Sequence, residues 1–479
     1  MLFNSFSFLF FFVLVLAVHL LPLPWWLRKC NLLLASYAFY MAWNPPFVGL
    51  LIVSTLIDWF AAKGMGRSEK PLTRKLLLVV SLLTNLGILG FFKYAETLLA
   101  YFTDVMQWMG LNYQPPQQDW DIVLPLGISF YTFQTLSYTI DVYRRKMEPW
   151  PSVLDFALFV SFFPQLIAGP IVRAGQFLPQ CTEPKRPTGD QFGWGLSLIV
   201  LGMFLKIVLA DSLFAPAVNR VYQAGLQPST FDAWIGTLAF LGQLYSDFSG
   251  YSTCAVGLAL CLGFVIPSNF HFPAAAIGFA DFWRRWHISL STWLHDYIFL
   301  PLGGYWVPRW RAACNLMITM VLCGLWHGPT VNFLIFGALH GAYMISEMAL
   351  RGTPLYRLKI WRTIAGRIFL WAFTFVSLAF TLVFFRAQTL AQAGSMCSAM
   401  LGFGARSTLS YFSQAELLLV IVPLEMIAIV HGLLRQQTLE ESVRRWPWLV
   451  WSFLTALMLY AIVRVPGATD SEEFIYFQF

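Results

Sequence analysis

The chain has 479 residues, of which 58% are hydrophobic and 11% charged, and its mean hydropathy is +0.63. Soluble domains carry about 25% charged residues, so this composition excludes a soluble protein and predicts a polytopic membrane protein. The net charge of +7 lies mostly in loops, so it bears on membrane orientation and does not indicate nucleic-acid binding. The seven cysteines show no metal-ligand spacing, and we predict no metal site and no disulfide framework.

Apolar runs that could cross a bilayer, which takes about 20 residues, recur along the whole chain. They lie near 1–21, 30–43, 46–62, 76–95, 122–142, 191–214, 234–263, 312–327, 330–350, 366–386, 414–435 and 446–464. The first run lacks a basic flank and a small-residue cleavage site, so we interpret it as a retained span. The pattern predicts an all-α fold with about 11–13 transmembrane helices.

Two segments depart from this pattern because proline and glycine interrupt them. Segment 155–172 contains Pro164 and Gly169-Pro170, which predicts a re-entrant or broken helix covered by protein or water. Segment 264–311 is also broken, and within it 279–299 is predicted to form one amphipathic helix at the cytoplasmic side.

Basic residues are concentrated in alternate loops. Most Lys and Arg lie in 22–29, 63–75, 143–152, 351–365 and 436–445, whereas 96–121 and 465–479 carry acids and neither Lys nor Arg. If the basic loops face the cytoplasm of a bacterium, both termini are periplasmic and the protein lies in the inner membrane.

Two histidines in tryptophan-rich, apolar sequence are candidate catalytic residues. His327 precedes Gly328-Pro329 at a break between two apolar runs, where an imidazole could take the proton of an attacking hydroxyl. The alternative is a histidine hydrogen-bonded between helices. His287 follows Arg284 by three residues, so both would lie on similar helical faces. It could orient or relay a proton, or be an interfacial histidine beside aromatic side chains.

Four further side chains are candidates for supporting roles. Arg284 and Arg285 could bind the phosphates of a coenzyme, or could anchor the cytoplasmic interface while pairing with Asp281. His340 could line the cavity of His327, or be a satisfied core histidine. Asp247 lies in an apolar run and needs a partner, for which we expect an arginine or a histidine.

Several motifs resemble the membrane-bound O-acyltransferases, more narrowly the bacterial branch that includes alginate O-acetyltransferases. The two with histidines are Trp-Arg-Arg-Trp-His-Ile-Ser-Leu-Ser-Thr-Trp-Leu at 283–294 and Gly-Leu-Trp-His-Gly at 324–328. Further matches are Leu-Pro-Leu-Gly-Ile-Ser-Phe-Tyr at 124–131 and Phe-Pro-Gln-Leu-Ile-Ala-Gly-Pro at 163–170. The likeness covers nearly the whole chain.

The resemblance implies one domain over 1–479, with a catalytic core at about 122–350 and a ring of helices around a central funnel. It implies that His327 is catalytic, that His287 is the second functional position and that Trp326 supports them. The implied donor is acetyl-CoA, with no permanently bound cofactor and no metal. The implied partners are a periplasmic acetyltransferase- or esterase-like protein and a polysaccharide synthase or export complex.

These features favour an O-acetyltransferase that moves acetyl groups across the inner membrane for an alginate- or cellulose-type polysaccharide. Acyl transfer to peptidoglycan or teichoic acid is an alternative. A non-enzymatic export subunit, flippase or scaffold is another. A flippase would predict paired broken helices in both halves, which the sequence does not show, and a scaffold would give no reason for His327.

Overall fold

A computed structural model describes residues 3–115, 123–223, 225, 227–404 and 410–465. Throughout these residues the regular structure is helical and no strand occurs, which confirms the predicted all-α class. The chain divides into two compact units, one of residues 1–195 and 255–267 and the other of residues 196–254 and 268–479. The single domain over 1–479 stays a prediction.

The first unit contains eight helices, the start of a ninth and the last turns (residues 255–261) of the helix Thr230–Cys261. The nine are α1 (Phe6–Leu20), α2 (Trp25–Met41), α3 (Phe47–Arg67), α4 (Pro71–Trp108), α5 (Ile128–Tyr143), α6 (Val153–Ser161), α7 (Phe163–Leu166), α8 (Ala174–Phe177) and α9 (Gly189–Met203). The predicted break in 155–172 is confirmed: α6 ends at Ser161, α7 has four residues, and the whole segment is buried.

A buried hydrogen-bond network joins α3 and α4 inside the first unit. The Asp58 carboxylate accepts from Ser81 Oγ at 2.6 Å and from Asn85 Nδ2 at 2.9 Å. Asn85 Oδ1 in turn accepts from Ser54 Oγ at 2.7 Å and from Thr135 Oγ1 of α5 at 3.3 Å. Such bonds hold helices together where lipid provides no hydrophobic driving force between them.

The second unit begins in α9 and continues through a π-helical stretch, Phe204–Phe214. Its further helices are α10 (Ala215–Val221), α11 (Thr230–Cys261), α12 (Phe279–Trp283), α13 (Ile288–Leu294), α14 (Arg309–His327), α15 (Val331–Arg351), α16 (Ile364–Arg386), α17 (Leu390–Ser398), α18 (Gln414–Leu434), α19 (Leu439–Arg444) and α20 (Trp448–Arg464). Of these, α14 and α15 pack against each other most extensively.

Six helical segments among the described residues are long and apolar enough to cross a membrane. They are Phe47–Arg67, Pro71–Trp108, Gly189–Val221, Val331–Arg351, Ile364–Arg386 and Gln414–Leu434, and α1 and α20 are shorter apolar helices. The multi-pass membrane architecture is thus confirmed. The total of 11–13 spans and the arrangement in a ring stay predictions.

The prediction of one amphipathic helix over 279–299 was wrong. Helix α12 ends at Trp283, His287 has a left-handed backbone with φ of 43°, and α13 starts at Ile288. A left-handed residue interrupts the helical hydrogen-bond pattern, and sequence periodicity gives no sign of it. A π-helical turn, His295–Phe299, follows α13.

Candidate active site

His327 is the last residue of α14 and its side chain is buried. Its position depends on a close crossing of α14 and α15. A Cβ atom on Gly324 would lie 2.1 Å from the carbonyl oxygen of Phe333, so only glycine permits this approach. The imidazole ring then packs edge-on against Phe385, with ring centroids 5.1 Å apart.

His340 lies in α15 and shares a small cavity with His327. The cavity has a volume of about 20 Å³, which is room for about one water molecule. The Thr381 hydroxyl donates to the Leu378 carbonyl at 2.8 Å, so at its 3.3 Å contact with His340 Nε2 it accepts. This assigns the proton of His340 to Nε2 and leaves Nδ1 as an acceptor.

Trp283 also lines this cavity, and its ring lies 5.1 Å from that of His340. Among the described residues, neither Trp283 Nε1 nor His340 Nδ1 has a hydrogen-bond partner. The cavity beside His327 therefore offers one N–H donor and one nitrogen acceptor to a polar group that enters it.

His287 is fully buried, although the sequence placed it on a face shared with Arg284. That expectation was wrong because the left-handed backbone at His287 turns its side chain away from the helical direction. The imidazole packs edge-on against Phe248, with centroids 4.6 Å apart. Burial lowers the pKa of His287 to about 3, so this imidazole is neutral at physiological pH.

Trp326 links the two predicted catalytic histidines. Its ring centroid lies 4.9 Å from that of His327 and 5.8 Å from that of His287, edge-on to both. The structure thus brings His287, Trp326, His327 and His340 into one region of the second unit, and their roles as site residues stay predictions.

The two candidate donor-binding arginines differ sharply in their surroundings. Arg285 is 12% exposed and donates to Asp281 at 3.1 Å and to the carbonyl groups of His271 and Arg435. Arg284 is 64% exposed, and its guanidinium makes a weak contact of 3.5 Å with the Asp281 carboxylate. Arg284 is therefore accessible to a ligand. The guanidinium of Arg285, in contrast, is already bonded to groups of the protein.

Asp281 connects this segment to the residue that follows α18. Besides the two arginines, it accepts from Arg435 Nη2 at 2.7 Å and from the Ile277 backbone N–H at 3.0 Å. Burial acts to raise the pKa of Asp281, but this N–H and the guanidinium groups outweigh it and hold the pKa below its usual value. The carboxylate remains ionised and fixes the segment that carries Arg284.

The partner of Asp247 is a lysine, not the arginine or histidine we expected. Lys206 Nζ lies 2.6 Å from Asp247 Oδ1 and 2.8 Å from Asp211 Oδ1. Residues five apart on an α-helix point about 140° away from each other, but in the π-helical stretch Lys206 and Asp211 come together. Asp247 thus belongs to a buried ion-pair cluster, while its neighbour Phe248 contacts His287.

Sequence reasoning missed Lys206, Trp283, Thr381 and Arg435. Lys206 could have been suspected, because it is a cation inside the apolar run 191–214. The other three carry no such signal, since tryptophan, threonine and interfacial arginine are common in membrane proteins. Within the described part of the chain, no group of three or more His, Cys, Asp or Glu side chains is arranged to bind a metal.

Sequence comparison now identifies the family. The profile of the MBOAT, membrane-bound O-acyltransferase, family matches residues 97–385, which is more than half of the chain and includes all the candidate site residues. The chain is a membrane-bound O-acyltransferase. As a member of this family it is an enzyme that transfers acyl groups, and the resemblance inferred from its motifs is confirmed.

Two curated relatives match this O-acyltransferase over most of its length, and a third matches about half of it. The probable alginate O-acetylase AlgI of Azotobacter vinelandii is 39% identical over 87% of the chain and 81% of the relative. The peptidoglycan O-acetyltransferase of Helicobacter pylori is 33% identical over 81% of the chain and 76% of the relative. The teichoic acid D-alanyltransferase of Bacillus subtilis is 28% identical over 48% of the chain and 60% of the relative.

Proposed function

We propose that this O-acyltransferase moves acetyl groups from cytoplasmic acetyl-CoA toward a secreted polysaccharide, with His327 as the general base. The observation that carries the proposal is the buried imidazole of His327 in a cavity shared with His340 and Trp283. The similarity to the probable alginate O-acetylase of Azotobacter vinelandii supports an alginate-type acceptor, and the proposal also covers a cellulose-type acceptor.

The proposed chemistry needs a base, an oriented hydroxyl and an activated acyl group. The His327 imidazole takes the proton of the acceptor hydroxyl, and the hydroxyl oxygen attacks the carbonyl carbon of the thioester. Collapse of the tetrahedral intermediate breaks the carbon–sulfur bond, and the sulfur receives the proton from His327. The products are an acetyl ester and free coenzyme A.

The neighbouring residues have positioning roles in this proposal. Trp326 holds the His327 ring by direct contact, and His287 in turn contacts Trp326. The N–H of Trp283 is available to a carbonyl oxygen in the cavity. Arg284 binds a phosphate of acetyl-CoA through charge-assisted hydrogen bonds, for which its exposure is suitable. Arg285 and Asp247 contribute through the ion pairs that fix their segments.

The proposed setting is the bacterial inner membrane, with both termini in the periplasm. There a periplasmic acetyltransferase- or esterase-like partner and a polysaccharide synthase or export complex act together with this enzyme on the polysaccharide. Relatives that modify peptidoglycan make peptidoglycan the second candidate acceptor. A flippase or scaffold without chemistry is not favoured, because the chain belongs to a family of acyltransferases.

The test is acetyl transfer by the purified protein in lipid nanodiscs. Radiolabelled acetyl-CoA is supplied with alginate, cellulose or peptidoglycan oligosaccharides, and both thiol release and labelled product are measured. His327→Ala should lower the rate roughly 10²–10⁴-fold, whereas His295→Ala, which removes an exposed imidazole, should not. An unchanged rate in His327→Ala would exclude the proposed base, and no turnover of acetyl-CoA by the wild type would exclude the donor.

A further inference from the structure

The second unit contains a larger cavity that the proposed reaction does not use. Its volume is about 300 Å³, and it lies between α11, α16, α18 and the turn at Pro273–Ala275. Its walls are apolar and rich in aromatic rings, with a single acidic side chain among the lining residues. The residues that matter here are Tyr245, Phe282, Trp286, Trp371, Phe375 and Glu425.

Polar atoms of two of these rings are bonded within the protein. The Ala274 backbone N–H donates to His431 Nδ1 at 3.0 Å, so His431 Nε2 carries the proton and donates to the Tyr245 hydroxyl at 3.0 Å. Trp371 Nε1 donates to the Ala274 carbonyl at 2.8 Å. These rings therefore present hydrocarbon and π surface to the cavity, and Glu425 is the charged side chain among its lining residues.

Glu425 lies at the middle of a membrane-spanning helix. It is the twelfth of the 21 residues of α18, so it is about 14–17 Å from either helix end, near the centre of a hydrocarbon layer about 30 Å thick. The side chain is exposed on the helix surface, and no described residue forms a hydrogen bond or ion pair with it. A carboxylate at this depth is costly unless a cation or a donor accompanies it.

A carboxylate beside aromatic rings favours one class of ligand, the organic ammonium ions. Organic ammonium groups are attracted to π faces within about 6 Å of a ring centroid and to carboxylates, and they tolerate apolar surroundings. Divalent metal ions require several oxygen ligands, which one glutamate does not supply. Neutral lipids gain nothing from the carboxylate, and anions are repelled by it.

We propose that this cavity binds an amphiphilic organic ammonium, with its cation at Glu425 and its apolar body against the aromatic walls. A volume of about 300 Å³ is at the lower end of small-molecule sites, and it suits a free amphiphile better than a transmembrane helix. The apolar body also has access from the lipid, because Glu425 lines the cavity and is at the same time exposed on the surface of α18.

Occupancy of the cavity should affect the active site. Leu241, Phe282 and Trp286 line both this cavity and the small cavity of His327 and His340. A ligand that contacts these side chains limits their movement and alters the rate of acyl transfer. This regulatory effect rests on the proposed function, whereas binding of the ammonium does not.

Photolabelling of the full-length protein in phosphatidylglycerol nanodiscs, whose lipid carries no ammonium group, tests the binding. The probe is a dodecyltrimethylammonium ion with a diazirine in its chain, and the matched neutral probe is the corresponding dodecyl methyl ether. We expect saturable labelling by the ammonium probe, mapped by mass spectrometry to residues that line the cavity. Glu425→Gln should reduce it at least tenfold, whereas Glu440→Gln, at an exposed glutamate of α19, should not change it.

Three outcomes would overturn the proposal: equal labelling of Glu425→Gln, equal saturation by the neutral probe, or displacement only by a single-span peptide with a central lysine. Phe375→Leu provides a second variant if Glu425→Gln folds poorly. It keeps the wall apolar but removes a π face, so labelling should fall several-fold. Acetyl transfer is measured separately with the ammonium probe, so that loss of the proposed activity is distinguished from loss of binding.

Discussion

At the scale of single residues, the left-handed backbone of His287 permits substitutions that distinguish a functional role of its side chain from a structural one. Asparagine tolerates this conformation and glycine relieves it, so His287→Asn and His287→Gly remove the ring without adding backbone strain. We expect both variants to lose roughly 10²-fold in acetyl transfer, because Trp326 and then His327 lose their support. Thermal stability should fall only slightly. Activity that falls only in proportion to the folded fraction would make His287 purely structural.

Arg284 and Arg285 should respond differently to the same substitution. Arg284→Gln is expected to raise the apparent KM for acetyl-CoA with a smaller change in kcat and to leave the melting temperature unchanged. Arg285→Gln should lower the melting temperature, because Asp281 and two carbonyl groups lose their donor. Steady-state kinetics and thermal unfolding measure the two effects, with Arg311→Gln as the control at an exposed arginine.

The KM effect of Arg284→Gln should also shrink at high salt, because an exposed charge is screened by ions. An unchanged KM in this variant at low salt would remove Arg284 from the donor site. Acetyl-CoA would then have to be held by other residues.

At the scale of helices, the π-helical stretch makes the cluster around Lys206 a test of buried ion pairing. Lys206→Met removes the ammonium that contacts Asp211 and Asp247, and we expect it to destabilise the protein by about 3–5 kcal/mol. Adding Asp247→Asn should restore part of that stability, because one buried charge is removed as well. Abundance in the membrane and thermal unfolding measure this, against Lys75→Met at an exposed lysine. A double variant less stable than Lys206→Met would contradict electrostatic pairing.

Much of the helical pattern could be predicted from the sequence, because apolar runs must form helices in a bilayer. The runs at 330–350, 366–386 and 414–435 match α15, α16 and α18 to within about two residues. The break before His287 could not be predicted, because a left-handed residue is set by packing against Phe248 and Trp326. Motifs identified His327 and His287, but the lysine that meets Asp247 depends on a tertiary contact that periodicity does not encode.

At the scale of the whole molecule, the distribution of basic residues predicts its orientation in the membrane. Reporters fused after Arg145 or Leu358 should report a cytoplasmic location, and one fused within the loop at 109–115, which carries neither Lys nor Arg, should report a periplasmic location. Alkaline phosphatase and green fluorescent protein fusions measure this in opposite senses. A periplasmic reading at both basic loops would invert the orientation and place Arg284 on the side without acetyl-CoA.

The contact between α14 and α15 has a consequence for how mutational scans of this enzyme are interpreted. Gly324 has no reactive group, yet a methyl group there would collide with the Phe333 carbonyl and displace the end of α14 that carries His327. A genetic screen scored on polymer acetylation would therefore rank Gly324 beside the histidine and suggest a chemical role for it. Thermal unfolding would distinguish the two positions: Gly324→Ala should lower the melting temperature, because the colliding atoms belong to the backbone of α15, whereas His327→Ala should lose activity with little loss of stability.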